Sequence, residues 1–201
     1  MRNLFVIYWI AYLFMKLLSK LCFSCKFYGT EHLPKRGSFI IASNHVSNID
    51  PFILGISCWR RFSYVAKESL FKNKIGAFLL YKVGGFPIKR DSSDFRALRE
   101  TLKRLKNGCP IVLFPEGTRK KESQEKRVQS GIGFIAQKSG VPVIPAYIRG
   151  SEKVLPPGAR KLSHHHVTVF LGAPLYFTAD QTYLDIANQI MDKIEDLAKQ
   201  S

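Results

Sequence analysis

Short apolar runs alternate along the chain with segments whose apolar residues recur at helical spacing. Runs of three to six residues, bounded by glycine, proline or polar clusters, are typical of β-strands buried in a sheet. They predict six strands, at Phe39–Ala42, Phe62–Ala66, Phe86–Ile88, Pro110–Phe114, Val143–Ile148 and Val167–Leu171.

The clearest helical pattern runs from Phe95 to Lys106, with Asp94 placed to cap its start and Gly108 to end it. A second pattern, near 182–199, predicts a helix that buries Ala187, Ile190, Ile194 and Leu197. The chain has no internal repeat and no low-complexity linker. We therefore expect a single α/β domain with a mixed, largely parallel sheet flanked by helices.

The N-terminal segment predicts a helix associated with a membrane. Leu4–Met15 carries no charge, and as a helix it would measure roughly 18 Å, short of the ~30 Å hydrocarbon core. Phe5, Tyr8, Trp9 and Tyr12 share one helical face, and three lysines follow, a combination that suits a helix lying in an anionic interface. The alternatives are a true span in which Lys16 snorkels, a signal peptide, for which no small-x-small cleavage site follows, and a buried helix. We divide the chain into a membrane-associating segment, 1–26, and a folded domain, 27–201.

The charge balance indicates an anionic partner. The chain has 201 residues with 31 Lys and Arg against 15 Asp and Glu, a formal net charge of +16. A nucleic acid, an acidic membrane surface or a phosphorylated substrate would each fit. The aromatic residues lie in the apolar runs instead of alternating with basic ones, which does not favour specific nucleic-acid binding. The four cysteines lack zinc-ligand spacing, so we expect no metal site.

A histidine and an aspartate follow the first predicted strand of the domain, in Asn44-His45-x4-Asp50-Pro51. Five positions advance about 500° on a regular helix and would leave the two side chains roughly 140° apart. A tight turn, with a helix starting at Pro51, can instead fold Asp50 back onto one imidazole nitrogen and leave the other as a general base. The alternative is that Asp50 only caps that helix and that His45 is a surface residue.

Three further strands end in polar side chains. Pro110–Phe114 runs into Glu116-Gly117-Thr118-Arg119, Phe86–Ile88 into Lys89-Arg90, and Phe62–Ala66 into Lys67. Because ligands bind outside the carboxyl ends of strands in α/β sheets, these groups are candidates for one site. The arginine forks match the geometry of a phosphate. A solvated loop charge is the alternative for any one of them.

Together these blocks resemble the glycerolipid acyltransferase family, of which 1-acyl-sn-glycerol-3-phosphate acyltransferases are typical members. The resemblance covers roughly residues 27–150. Four blocks carry it in the family's order: Asn44–Asp50, Gly84–Arg90, Phe114–Arg119 and Val141–Pro145. Lys89 departs from the family pattern, where an acidic or small polar residue is common, which leaves the identity of the acceptor open.

The resemblance implies an O-acyltransferase that moves a fatty acyl group from a thioester, on coenzyme A or acyl carrier protein, to the free hydroxyl of 1-acyl-sn-glycerol-3-phosphate. His45 would be the base and Asp50 its orienting partner, with no acyl-enzyme intermediate. Lys67, Arg90 and Arg119 would hold the phosphate in the substrate-binding group that also includes Gly117 and Thr118. Glu116 would orient an arginine or accept a substrate hydroxyl, with a structural ion pair as its alternative.

We expect no cofactor or metal, since the thioester is a co-substrate. The expected partners are the lysophospholipid, the acyl thioester, an anionic membrane surface and acyl carrier protein, with no specific nucleic acid. The expected location is peripheral or monotopic on the cytoplasmic face of the cell membrane. Other lysophospholipids or glycerol-3-phosphate are alternative acceptors, and a lipid or thioester hydrolase is a rival function, as is an inactive lipid-binding relative. Four apolar residues are candidates to line an acyl channel: Val46, Phe52, Phe78 and Leu80.

Overall fold

The computed structural model describes residues 2–88, 95–116, 130–156, 158–159 and 161–200, with side chains described from Val6 onward. Its α-helices are α1 Arg2–Leu21, α2 Asp50–Gly55, α3 Lys74–Lys82, α4 Phe95–Lys106, α5 Ser130–Ser139, α6 Ser151–Val154 and α7 Tyr183–Lys199. Short 3₁₀ turns occupy Thr30–His32 and Glu68–Phe71.

Seven strands form one sheet in the order β1-β7-β6-β2-β5-β3-β4. They are β1 Lys26–Tyr28, β2 Ile40–Ser43, β3 Ser63–Lys67, β4 Gly85–Ile88, β5 Ile111–Leu113, β6 Val143–Arg149 and β7 Thr168–Leu171. Neighbouring strands are parallel except for the antiparallel pair β6–β7. The predicted α/β fold and all six predicted strands are confirmed. The three-residue edge strand β1 was not predicted because it is too short to show a period.

The sheet is covered on both faces, as expected for parallel strands. Side chains alternate between the two faces along the central strand β2 and at the residue before it. Phe39 and Ile41 join one core, while Ile40 and Ala42 join the other. The first core includes apolar residues of α2 and, at its margin, of α1. The second is covered by α4, α5 and α7. All four residues of β2 are buried, so the strand that carries the H-x4-D turn is held rigidly.

The topology places four strand ends at one edge of the sheet. β2, β5, β3 and β4 are adjacent in this order and mutually parallel, so their carboxyl ends face the same way. His45 follows β2, Lys67 ends β3 and Glu116 follows β5. The topology therefore places these three residues at the same edge of the sheet, as the sequence predicts.

The two helices predicted from apolar periodicity within the domain are present. α4 has the predicted bounds, and Gly108 lies just beyond it with φ of 77°, a left-handed conformation that suits glycine at a helix end. Asp94, the predicted cap, lies outside the described residues. α7 buries Ala187, Ile190 and Ile194, as expected, whereas Leu197 is only partly buried.

Helix α1 binds the domain through the face that we expected to meet the membrane. Tyr8 and Tyr12 are buried, and the ring of Trp9 stacks on Trp59 with centroids 4.4 Å apart. The Tyr8 hydroxyl accepts a hydrogen bond from the Phe62 backbone N–H at 3.0 Å. The exposed face of α1 is aliphatic with one phenylalanine: Val6, Ile10, Leu13, Phe14, Leu17 and Leu21. Assigning the aromatic face to the membrane was therefore wrong, because periodicity shows a helix's faces but not their partners.

Within the described residues, the structure has no helix whose length and apolar character suffice to cross a lipid bilayer.

Candidate active site

The H-x4-D turn folds Asp50 back onto His45. The imidazole Nδ1 of His45 lies 2.9 Å from Oδ2 of Asp50, a hydrogen bond in which Nδ1 donates to the carboxylate. The imidazole side chain is 10% exposed and the carboxylate 0%. With its proton on Nδ1, neutral His45 presents Nε2 as a proton acceptor. Asp50 is also the first residue of α2 and is followed by Pro51, but its side chain bonds His45 and does not cap that helix.

The buried carboxylate of Asp50 is held by four donors. Besides His45, the backbone N–H groups of Val46 and Ser47 donate to Oδ2 at 2.8 and 2.7 Å. The hydroxyl of Ser151 donates to Oδ1 at 2.6 Å. A buried carboxylate needs such donors to offset the loss of water, and bonds to an ionised group are roughly twice as strong as neutral ones.

The turn is also held by hydrogen bonds to the end of β6 and to the segment that follows it. The Asn44 side-chain amide donates to Ile148 O at 2.9 Å and accepts from Ile148 N–H at 2.8 Å. The Ser47 hydroxyl donates to Leu155 O at 2.8 Å. Asn44 and Ser47 are therefore structural residues of the turn. Sequence reasoning assigned no role to Asn44 or Ser151, because partners about a hundred positions away leave no local signal.

His45 lies at a cavity of about 190 Å³. The ring of Phe114, directly after β5, stacks on the imidazole with centroids 4.0 Å apart and the planes 19° from parallel. Lys67 lines the same cavity, together with Phe52, Tyr64 and Leu80. The structure thus brings one predicted cation, Lys67, to the dyad. Phe114 was part of a recognised block but was not predicted to contact His45.

The remaining predicted site residues are placed less fully. Glu116 is partly buried and lies two residues beyond Phe114. Arg90, Gly117, Thr118 and Arg119 lie outside the described residues, so their grouping with the dyad stays a prediction. Across the described part of the chain, no group of three His, Cys, Asp or Glu side chains is arranged to hold a metal ion.

An apolar groove of about 420 Å³ adjoins the cavity beneath α1. Phe52, Tyr64 and Val83 line both spaces. Many of the other groove residues belong to α1, including Met15, and Ile56, directly after α2, and Leu79 of α3 line it as well. Of the four residues proposed from sequence for an acyl channel, Phe52 and Leu80 line these spaces, while Val46 and Phe78 are not among their lining residues.

Two tyrosine hydroxyls, of Tyr8 and Tyr64, lie within this otherwise largely apolar region. Burial, with the neighbouring Tyr8 hydroxyl next in importance, raises the pKa of Tyr64 well above its usual value. Burial also raises the pKa of Tyr8, whose hydroxyl donates to Arg60 O at 3.1 Å. Both phenols are therefore neutral hydrogen-bonding groups near neutral pH. Gly55 faces Tyr64 so closely that an added Cβ would lie 1.9 Å from the phenol oxygen.

The fold and this site define a class of protein with known relatives. The sequence model of a family described as Acyltransferase matches residues 24–149, well over half of the chain. The chain belongs to this acyltransferase family, and the resemblance found in its sequence blocks is confirmed.

Three similar proteins carry the name of the same acyltransferase reaction. The chain is 31% identical to the 1-acyl-sn-glycerol-3-phosphate acyltransferase of Bacillus subtilis over 81% of its own length and 79% of that protein's. It is also 31% identical to a chloroplastic enzyme of the same name from Brassica napus, over 74% of this chain, but spans less than half of that relative, 44%. The crystal structure of the 1-acyl-sn-glycerophosphate acyltransferase PlsC of Thermotoga maritima superposes with a TM-score of 0.71 at 27% identity, covering 97% of this chain and 79% of that one.

Proposed function

We propose that this protein transfers a fatty acyl group from an acyl thioester to the free hydroxyl of 1-acyl-sn-glycerol-3-phosphate, forming phosphatidic acid in phospholipid biosynthesis. The observation that carries the proposal is the His45–Asp50 hydrogen bond of 2.9 Å at the cavity, in a chain whose relatives are named for this acceptor.

The proposed reaction needs a general base and no cofactor. An alcohol is a poor nucleophile at neutral pH, so Nε2 of His45 takes the hydroxyl proton as the oxygen attacks the thioester carbon. Asp50 holds the imidazole and stabilises its protonated form. The new C–O bond forms, the C–S bond breaks, and the proton on Nε2 passes to the departing thiolate. Coenzyme A or acyl carrier protein leaves with its sulfhydryl restored.

Binding of the acceptor is assigned to the cations and its acyl chain to the groove. Lys67, at the end of β3, lines the cavity beside His45. In sequence, Arg90 follows β4 and Arg119 follows β5, the two strands that flank β3. Together they would hold the phosphate and bring the hydroxyl to Nε2. Gly117 and Thr118 would contribute to the same substrate-binding turn. An apolar chain fits the groove, whose lining shared with the cavity leads from His45 towards α1.

Membrane association is proposed for the exposed aliphatic face of α1, which we call the α1 stripe: Val6, Ile10, Leu13, Leu17 and Leu21. On α3, which also lines the groove, Ile75, Phe78 and Leu79 are exposed as well. A large exposed apolar surface is typical of a contact with a membrane or a partner. A helix lying in the interface, on the cytoplasmic face of the membrane, would let a lipid substrate enter the groove directly.

The test is an acyl-transfer assay with the full chain in lipid or detergent. The acceptors are 1-acyl-glycerol-3-phosphate, glycerol-3-phosphate and a neutral lysophospholipid, each with acyl-CoA and acyl carrier protein thioesters. We expect preference for 1-acyl-glycerol-3-phosphate, and a loss of roughly 10²- to 10⁴-fold in kcat/KM for His45→Ala. His165→Ala, at an exposed loop histidine, should retain full activity. Transfer to another acceptor alone would contradict the proposed acceptor, 1-acyl-glycerol-3-phosphate. Thioester hydrolysis that depends on His45 but gives no transfer would favour a hydrolase.

A further inference from the structure

The carboxylate of Asp50 has two oxygens with different partners. Oδ2 accepts from His45 and from two backbone N–H groups. Oδ1 accepts from the hydroxyl of Ser151 at 2.6 Å, and Ser151 is itself 0% exposed. Among the described residues, Ser151 is the side chain that satisfies Oδ1. Removing it would leave a buried anionic oxygen without that donor, which costs more than an ordinary hydrogen bond.

The position of Ser151 depends on the corner between β6 and α6. Gly150, with φ of 92°, turns the chain at the end of β6 so that Ser151 begins α6 directly behind Asp50. A Cβ at Gly150 would lie 2.2 Å from the backbone oxygen of His166. The same corner holds Asn44 through Ile148 and Ser47 through Leu155. Three contacts therefore link residues 44–50 to residues 148–155, and one of them reaches the dyad itself.

The hydroxyl of Ser151 has two physical effects on His45. It fixes the rotation of the carboxylate, so that Oδ2 stays in line with Nδ1. It also draws negative charge towards Oδ1, which moderates how strongly Oδ2 favours the protonated imidazole. Both effects act on the base through Asp50 and neither requires contact with a substrate.

We propose that Ser151 is a positioning residue for acyl transfer, which holds the Asp50 carboxylate in the rotation that orients His45. The proposal rests on the proposed catalytic roles of His45 and Asp50.

The experiment compares the full-length wild type, Ser151→Ala and His45→Ala by kcat, KM for both substrates, and kcat/KM across pH. For Ser151→Ala we expect kcat to fall about ten-fold, a part of the roughly 10²- to 10⁴-fold that a positioned base contributes, with both KM values within about two-fold. The acidic limb of the profile should move to higher pH, because the carboxylate then stabilises imidazolium more strongly. The other ionisable residues among those described at the cavity are Tyr64 and Lys67, and both are present in all three proteins.

A matched control separates positioning from stability. Ser63→Ala removes another buried serine hydroxyl, at the start of β3, which accepts a hydrogen bond from the Arg104 side chain at 3.0 Å. This variant should leave kcat and the pH profile unchanged. If Ser151→Ala does not fold, Ser151→Cys keeps a weak donor of similar size and should lower kcat and shift the limb in the same direction. An unchanged kcat and pH profile in the folded Ser151 variant, with His45→Ala inactive, overturns the role of Ser151 alone. Full activity in His45→Ala overturns the dyad itself.

Discussion

At the scale of single residues, the site depends on a glycine, where a side chain would not fit, as well as on the side chains that contact the dyad. Gly150 is needed because its left-handed conformation and its contact with His166 O leave no room for a Cβ. Phe114 and Ser151 complete the surroundings of the dyad from β5 and from the β6–α6 corner. The surroundings of His45 are thus formed by residues in the connections that follow three strands, β2, β5 and β6.

Replacing Gly150 tests this crowding. Gly150→Ala should destabilise the protein by more than about 3 kcal/mol, since it adds a backbone clash to the strain of positive φ. Gly140→Ala is the control: its φ is 63°, but a Cβ there meets nothing within 4 Å, so a loss of about 1 kcal/mol is expected. Urea unfolding of both variants gives the comparison. Equal losses would show that strain, and not contact with His166, determines the need for glycine.

At the scale of elements, helix contacts decide roles that periodicity leaves open. Gly131-x-Gly133-x-x-Ala136 imitates a dinucleotide-binding pattern, yet it lies within α5, where a Cβ at Gly133 would be 1.9 Å from Tyr183 O. Gly133 therefore serves the close packing of α5 on α7. In α1, likewise, the aromatic face is committed to the domain through Tyr8, Trp9 and Tyr12.

The exposed face of α1 can be tested without disturbing the buried one. Deleting residues 1–20 would also remove the Tyr8 hydroxyl from the Phe62 N–H, so deletion mixes membrane binding with stability. A triple substitution of the α1 stripe, Ile10→Gln, Leu13→Gln and Leu17→Gln, should instead reduce binding to anionic vesicles at least ten-fold, about 1.4 kcal/mol, while leaving the melting temperature nearly unchanged. Co-sedimentation with liposomes measures it. Undiminished binding would assign the anchoring to the basic domain.

At the scale of the whole molecule, the proposed membrane contact would combine an apolar surface with a basic one. The net charge of +16 favours any anionic surface at long range, whereas the α1 stripe acts only on contact. The helix α4, with exposed Arg99, Lys103 and Lys106, covers the sheet face opposite the core that α1 borders. Its charges therefore lie away from the proposed membrane contact.

These two contributions should differ in their response to salt. Raising ionic strength from about 0.05 to 0.5 M shortens the screening length well below 10 Å, so binding to anionic vesicles should weaken several-fold while a residual fraction persists. In the α1 stripe variant the residual fraction should disappear at high salt. Salt-independent binding of the wild type would indicate that the apolar contact alone carries it.

The sequence by itself determined the fold class, six strands of the sheet and the helices α4 and α7, because these depend on local periodicity. It predicted the His45–Asp50 pair from two residues five positions apart together with the family resemblance of their block. It could not determine how Asp50 is held, since Ser151 lies 101 positions away, or that Phe114 stacks on His45 from another strand. Nor could it decide which face of α1 is buried, because periodicity defines a face while only packing against Trp59 and Phe62 selects its partner. The tertiary structure decided these points because each depends on a contact between segments distant in the chain.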